Sequence, residues 1–279
     1  MRLLITGGAG HLGTELIRQA GGHEVHATYR TQPVEPAGTE WHSLDVRRRT
    51  EVDALIQALR PGAIIHTAFR QSDWTTTSDG AAYVAAAAVA VGARLVHVSS
   101  DAVFSGGNSP YDEEAVPDPV TPYGAAKAAA ETAVKVIDPG AVIARTSLII
   151  GDGRSLHEAL VHSLADGTRQ GMLFTDDFRC PVHVSDLAAA LLELMASDHA
   201  GVAHVGGAEA VSRYELGLLI AERDGLDPTS LPSGRRPSDI RLDSARTQRL
   251  LRTRLRGATE FLGVAGSPDG SERTPTPGL

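Results

Sequence analysis

The chain has 279 residues, of which 42% are hydrophobic, and its formal net charge is −8 at pH 7. This size allows one large α/β domain or a main domain with a small lobe, and the negative charge argues against a nucleic-acid partner. A lone cysteine, Cys180, excludes an internal disulfide, so we expect a cytoplasmic protein. The longest apolar run, 81–91, is too short and too rich in alanine for a membrane span, and neither a signal peptide nor a membrane partner is expected.

A glycine-rich loop follows the first predicted strand. The apolar run 3–5 leads into Thr6-Gly7-Gly8-Ala9-Gly10-His11-Leu12-Gly13, and a helix-compatible run, 14–20, follows. A strand, a glycine turn and a helix create the setting in which a pyrophosphate binds free backbone N–H groups at a helix N-terminus. The order therefore predicts a dinucleotide site.

Strands and helices alternate through the first half of the chain. The pattern predicts strands at 24–30, 41–44, 63–68, 94–99 and 141–146, and helices at 50–59, 81–91 and 123–131. This spacing is typical of βαβ units. We therefore predict an α/β fold with a Rossmann-type doubly wound parallel sheet, whose dinucleotide-binding domain is 1–150.

The pattern is less regular after Gly151. Helices are predicted at 155–165, 185–196 and 212–222, with short apolar pieces such as 202–205 between them. We expect a smaller C-terminal substrate-binding lobe over 151–264 that is partly interleaved with the sheet. The tail 265–279 is rich in Pro, Gly, Ser and charge, which predicts disorder.

The end of the second predicted strand bears on cofactor choice. A carboxylate there would bond the ribose hydroxyls of NAD(H), whereas an arginine would meet the 2′-phosphate of NADP(H). The strand ends in Thr28 and then Arg30. This pattern favours NADP(H) over NAD(H).

Three residues form a coherent proton-transfer set. Tyr123 and Lys127 share one face of a predicted helix, and Ser100 follows an earlier strand. In the reductive direction Tyr123 would donate a proton to a carbonyl oxygen that Ser100 holds. Lys127 would bind the cofactor ribose, and its charge together with an oxidised nicotinamide ring would lower the tyrosine pKa.

With these motifs the sequence resembles the extended short-chain dehydrogenases/reductases, and among them the dTDP-4-dehydrorhamnose reductase family. The resemblance runs to about Leu262 and rests on segments 6–13, 45–46, 99–104, 123–127, 145–147, 236–237 and 242–243. Three places differ from the usual family pattern: the segment 66–69 reads His-Thr-Ala-Phe where the family has Asn-Ala-Ala-Ala, Thr77 stands for an asparagine, and Ala102 stands for a tyrosine.

The resemblance implies roles for individual residues. Pyrophosphate contacts fall to Gly7, Gly10 and Gly13, with backbone contacts from His11 and Leu12. The remaining cofactor contacts fall to Asp45 and Val46 at the adenine, to Thr67, Ala68 and Phe69 along the cofactor, and to Tyr123 and Lys127. The catalytic triad is Ser100, Tyr123 and Lys127, and the substrate would contact Asp101, Ala102, Ser147 and Arg236.

The resemblance implies a reductase of a keto group on a small molecule, for which a nucleotide-linked 4-keto-deoxysugar is a candidate, and it leaves a homodimer open. One alternative is an epimerase or dehydratase of the same superfamily. Sugar dehydratases carry Asp-Glu after the catalytic hydroxyl, whereas Asp101-Ala102 follows Ser100 here. Another alternative is a non-catalytic dinucleotide-binding regulatory subunit, against which the intact triad argues.

The eleven histidines give no metal-binding motif. His157-Glu158 and His162 have a spacing of five, which differs from the i, i+4 pair of the zinc motif H-E-x-x-H. The sequence therefore predicts no metal site.

Overall fold

The structure is a computed structural model that describes residues 1–34 and 38–263. The predicted disordered tail, 265–279, lies outside these residues. Over the described ranges, no helix combines the length and apolar character that crossing a membrane requires.

The strands of the described residues are β1 Arg2–Thr6, β2 Glu24–Tyr29, β3 Glu40–Ser43, β4 Ala63–His66, β5 Arg94–Ser100, β6 Val142–Thr146, β7 Ile149–Ile150, β8 Leu173–Phe174, β9 Asp177–Arg179, β10 Val182–His183, β11 Gly201–Val205, β12 Val211–Ser212, β13 Ser233–Gly234 and β14 Ser238–Asp239. The α-helices are α1 His11–Gln19, α2 Arg49–Leu59, α3 Gly80–Val91, α4 Pro122–Ile137, α5 Leu156–Ala165, α6 Val184–Ala196, α7 Arg213–Asp224, α8 Ala245–Gln248 and α9 Ala258–Phe261. A π-helical turn, Thr75–Asp79, precedes α3, and 3₁₀ turns lie at Asp101–Val103 and Pro228–Ser230.

A seven-stranded sheet with the order β3-β2-β1-β4-β5-β6-β11 forms the centre of the molecule, and all its pairings are parallel. The chain proceeds outward from β1 to one edge and then returns to build the other half. This order places the strand reversal between β1 and β4, where open α/β sheets bind ligands at the carboxyl ends of their strands.

Alternate residues of the strands face opposite helical layers. Leu3 and Ile5 pack in the core that includes α1 and α6, whereas Leu4 packs against α2, α3 and α4. The strands are nearly continuous apolar runs because both faces are covered. The prediction of a doubly wound α/β fold is confirmed.

A second hydrophobic core lies outside the sheet layers. Its buried residues come from α5, α7, α9 and short strands, and include Val161, Leu173 and Ile220. Residues 184–205, in contrast, supply α6 and β11 to the central sheet and its cover. We call the part built on the second core the second lobe; the division of roles between 1–150 and 151–264 stays a prediction.

Candidate active site

The glycine loop between β1 and α1 is shaped for close approach. Gly7 has φ of +73°, and a Cβ there would lie 2.8 Å from the backbone nitrogen of Ala68. A Cβ on Gly13 would lie 2.4 Å from the Gly7 carbonyl oxygen, so glycine is required where helix meets loop. Gly10 is the N-cap of α1, and no side chain caps this helix. The first amides of α1 therefore lack a capping partner and suit a pyrophosphate.

Thr28, near the end of β2, supports this loop. Its Oγ1 accepts a hydrogen bond of 3.1 Å from the backbone N–H of Gly7, and the residue is buried. Arg30 lies two residues further on and is exposed, and it makes no ion pair within residues 1–34 and 38–263. Its predicted contact with a 2′-phosphate stays a prediction.

The N-terminus of α4 is held close to the turn that follows β5. Thr121 caps the helix by accepting a hydrogen bond of 3.0 Å from the Gly124 N–H, and Pro122 occupies the first helical position. A Cβ on Gly124 would lie 2.0 Å from the Ala102 carbonyl oxygen. Glycine after Tyr123 therefore lets the first turn of α4 approach the segment that carries Ser100.

Tyr123 is kept protonated in this environment. Burial raises the pKa of its phenol and is the main cause, and the Asp101 charge acts in the same direction. Hydrogen bonding to Ser100 opposes this rise only in part. The sequence-based expectation that the Lys127 charge lowers the tyrosine pKa is wrong for the protein alone, where burial dominates and the phenol is a proton donor. The effect of an oxidised nicotinamide ring on this pKa stays a prediction.

Lys127 lies one helical turn after Tyr123 and is buried, with 3% exposure. Its Nζ donates a hydrogen bond of 2.8 Å to the Val98 carbonyl oxygen and lies 5.2 Å from the centroid of the Phe69 ring. Burial lowers the pKa of Lys127 to about 8, although Glu131 acts to raise it. The centroid of the Phe69 ring is also 5.8 Å from that of the Tyr123 ring, so Phe69 lies beside both Tyr123 and Lys127.

Two buried histidines lie beneath this group on adjacent strands. His66 and His97 are register partners whose rings stack with centroids 5.4 Å apart. Burial, helped by the Lys127 charge, lowers the pKa of His66 to about 3 and that of His97 well below its usual value. Both rings are therefore neutral and add no competing charge beside Lys127.

The other predicted cofactor contacts lie in the segments that follow β3 and β4. Thr67 donates a hydrogen bond of 2.7 Å from Oγ1 to the Thr6 carbonyl oxygen. Arg47 bonds both carboxylate oxygens of Asp45 and holds the pKa of Asp45 at about 2. Val46 is buried, so its contact with an adenine stays a prediction. Thr77 Oγ1 accepts a hydrogen bond from the Arg70 N–H and donates one to the Arg70 carbonyl oxygen, which fixes the loop after Phe69.

Three of the four predicted substrate residues, Asp101, Ser147 and Arg236, belong to one network of charged groups, whereas Ala102 packs against Gly124. Ser147 donates a hydrogen bond of 2.7 Å to buried Asp101. Arg179 links Asp101, at 3.6 Å, to fully buried Asp177, at 2.5 Å. Arg236 bonds Asp177 at 2.5 Å and lies over the Phe174 ring, 4.2 Å from its centroid.

Several members of this network were missed from the sequence. They are Asp177, Arg179, Arg213 and His157, which come from short strands and helix starts with no motif of their own. Arg213 Nε lies 3.6 Å from Asp177, and its Nη1 lies 3.1 Å from His157 Nδ1. Burial and the Arg213 charge lower the pKa of His157 to about 4.

A pocket of about 210 Å³ opens beside these arginines in the second lobe. Its wall combines aliphatic and aromatic side chains with two guanidinium groups, and its lining residues are His157, Leu160, Val161, Met172, Leu173, Phe174, Arg213, Leu216, Gly217, Ile220 and Arg236. The pocket is separate from the catalytic candidates, none of which lines it. An apolar wall beside cations suits a ligand that has both a flat apolar part and negative charge.

The family model of the RmlD substrate binding domain matches residues 1–258 of this chain. The dTDP-4-dehydrorhamnose reductase of Mycobacterium tuberculosis is 32% identical, and the match covers 81% of this chain and 77% of that protein. The methionine adenosyltransferase 2 subunit beta of Xenopus laevis is 30% identical, and the match covers 89% of this chain and 82% of that protein.

Solved structures show the same architecture. A hypothetical dTDP-4-dehydrorhamnose reductase from Sulfolobus tokodaii superposes with a TM-score of 0.79 at 30% identity and covers 92% of this chain and 97% of its own. The dTDP-4-dehydrorhamnose reductase from Bacillus anthracis in complex with NADP superposes with a TM-score of 0.77 at 25% identity. The match covers 94% of this chain and 95% of that one.

Proposed function

Because the chain belongs to the RmlD substrate binding domain family, we propose that it reduces a keto group on a nucleotide-linked sugar with NADPH. The observation that carries the proposal is the placement of half-buried Tyr123 in the first turn of α4, where Gly124 packs against the segment that carries Ser100, one turn before buried Lys127. This arrangement is that of a positioned general acid. The similar reductase from Bacillus anthracis, solved with NADP, supports a nicotinamide dinucleotide as the cofactor.

The glycine loop and the uncapped amides of α1 would hold the pyrophosphate, and Arg30 the 2′-phosphate. When bound, the reduced nicotinamide supplies hydride to the carbonyl carbon. Tyr123 donates its proton to the carbonyl oxygen, while the Ser100 hydroxyl orients that oxygen. Lys127 then favours the resulting phenolate through its charge.

The pocket in the second lobe supports the choice of a nucleotide-linked substrate. Arg213 and Arg236 could bind phosphate oxygens, since guanidinium groups match their geometry. The apolar wall would take the base. Ala102 occupies the position of the glutamate of sugar dehydratases, and the Asp101 carboxylate is engaged by Ser147. Reduction is therefore favoured over elimination.

The test is NADPH oxidation with a panel of nucleotide-linked 4-keto sugars, measured for the unmutated protein and for Tyr123→Phe. Loss of the phenolic oxygen should lower turnover by about 10²–10⁴-fold, the usual contribution of a positioned proton donor. NADPH affinity should change little, because the change removes one oxygen and preserves the ring. Tyr83→Phe on α3 is the matched control and should retain full turnover.

Full activity of Tyr123→Phe on a substrate that the unmutated protein reduces would disprove this mechanism.

A second candidate function is that of a dinucleotide-binding subunit of an enzyme complex, favoured by the 30% identity with methionine adenosyltransferase 2 subunit beta. That function predicts NADPH binding without oxidation for every keto sugar, and it predicts that Tyr123→Phe leaves partner binding unchanged.

A further inference from the structure

Two histidines and a glutamate meet at the edge of the central sheet, away from the catalytic candidates. In the parallel register of β2 and β3, His26 pairs with Glu40, and Thr28 pairs with His42. Side chains two residues apart on a strand share a face, so Glu40 and His42 point to the same side as His26. The sequence separates these residues, so no motif revealed them; the register brings them together.

The donor atoms of these three residues are close enough to share one ion. His26 Nδ1 is 2.9 Å from His42 Nε2, and the Glu40 carboxylate oxygens lie 3.7 Å from His26 Nδ1 and 3.8 Å from His42 Nε2. Two ligands of a tetrahedral Zn²⁺, each about 2.1 Å from the metal, are roughly 3.4 Å apart. The Glu40 distances involve different oxygens, Oε2 toward His26 and Oε1 toward His42, and one donor atom from each residue lies within 4.8 Å of the others. A rotation of the exposed Glu40 side chain would therefore complete the site.

A fourth residue orients the buried histidine. His26 is 3% exposed, and its Nε2 lies 3.2 Å from Glu24 Oε1, which leaves Nδ1 facing His42. Arg2 Nε donates to the same Glu24 oxygen at 3.0 Å. A carboxylate on the second ring nitrogen is the usual support of a metal-binding histidine, because it fixes both the tautomer and the ring orientation.

The local charge also favours a cation. Two imidazole nitrogens at 2.9 Å need a proton between them, and a metal ion can take the place of that proton. Glu24 and Glu40 bring two carboxylates to this edge of the sheet, of which Arg2 pairs with one. We propose that His26, Glu40 and His42 form a Zn²⁺ site that fastens the edge strand β3 to β2.

The proposed site is structural, since none of its three ligands is among the residues assigned to the cofactor or to catalysis, and its link to the glycine loop is that His42 is the register partner of Thr28. His26 precedes Arg30 by four residues of extended chain, which corresponds to about 13 Å. It lies on the sheet face of Leu4, its register partner in β1. Three protein ligands leave one position for water, and Glu40, with 66% of its side chain exposed, marks the open side.

The test is isothermal titration of chelator-treated, tag-free protein with Zn²⁺, with visible spectra of the Co²⁺ form as a second readout of tetrahedral coordination. We expect one equivalent of Zn²⁺ and a rise in the thermal midpoint with added metal. His42→Gln and Glu40→Gln should each lower the affinity at least tenfold. Glu24→Gln should lower it by about 10–100-fold, the usual effect of losing such an orienting partner.

His162→Gln is the matched control, because His162 pairs with Asp224 in the second lobe and should not affect binding. Thermal midpoints in chelator show whether each variant folds without metal, so that a loss of binding is not confused with unfolding. The proposal is overturned if the unmutated protein binds no Zn²⁺ or if Glu40→Gln and His42→Gln bind as well as His162→Gln does.

Discussion

The backbone of Gly124 faces the carbonyl oxygen of Ala102 so closely that a Cβ on the glycine would lie 2.0 Å from that oxygen. This contact joins the first turn of α4 to the segment after β5. It therefore links the element that carries Tyr123 to the one that carries Ser100.

We predict that Gly124→Ala lowers turnover at least tenfold, because the added methyl group forces α4 away from Ser100 and a displacement near 1 Å is costly in catalysis. Overpacking should also lower stability by about 1–3 kcal/mol. NADPH oxidation and urea denaturation measure the two effects. Gly21→Ala is the control, since no atom lies within 4 Å of a Cβ there. Unchanged turnover in Gly124→Ala would show that the contact does not position Tyr123.

Arg30 is expected to decide cofactor preference. A charged hydrogen bond to the 2′-phosphate contributes roughly 1.5–3 kcal/mol, so Arg30→Ala should weaken NADPH binding by about 10–100-fold. NADH affinity should stay the same, because that cofactor has no 2′-phosphate. Fluorescence titration with both cofactors measures the difference, and Arg169→Ala, exposed in the second lobe, serves as the control. Equal affinity of the unmutated protein for both cofactors contradicts the prediction.

The buried Lys127 should make stability rise with pH. Its pKa is lowered from 10.5 to about 8, chiefly by burial, so the folded chain releases a proton in this range while the unfolded chain still holds it. The free energy of unfolding therefore increases between pH 8 and 10.5, by on the order of 3 kcal/mol. The measurement is the difference in unfolding free energy between unmutated protein and Lys127→Met at both ends of the range. A pH-independent difference would argue against a lowered lysine pKa.

The ion pair between Glu131 and Arg145 should matter greatly to stability. Arg145 Nη2 lies 2.8 Å from Glu131 Oε2, and both side chains are buried, with Ser99 donating a further hydrogen bond to Glu131. Glu131→Gln leaves the Arg145 charge uncompensated and should cost about 3–5 kcal/mol in urea denaturation. The double variant Glu131→Leu/Arg145→Met should be less destabilised than the single one. A loss in the double variant as large as that in Glu131→Gln would show that the uncompensated Arg145 charge is not the main cost of breaking the pair.

Local patterns in the sequence predicted the fold and the catalytic candidates. Apolar runs located β1, β4 and β5, and the four-residue spacing of Tyr123 and Lys127 indicated a shared helix face. What could not be predicted depends on strand register and on short elements. Asp177 and Arg179 belong to a three-residue strand, and the meeting of His26 with His42 requires the pairing of β2 with β3. No spacing along the chain encodes such contacts.

Burial also changed the interpretation of residues that had been identified correctly. The sequence gives Tyr123 a charged neighbour, which argues for a lowered pKa, but the burial of the phenol raises it. The absence of a carboxylate at Thr28 could be seen from the sequence. Its hydrogen bond to the Gly7 N–H could not, because that contact depends on how β1 and β2 lie side by side.

That hydrogen bond restricts how this chain could change its cofactor. Introducing a carboxylate near the end of β2 is an obvious route to NADH preference, and Thr28 is one position where it could stand. Here the Thr28 side chain is 2% exposed and is already the acceptor for the glycine loop, so an aspartate would bury a charge beneath the loop that it is meant to serve. A change at position 30, where the side chain is exposed, avoids that conflict, so replacement of the predicted 2′-phosphate contact of Arg30 should precede any change at Thr28.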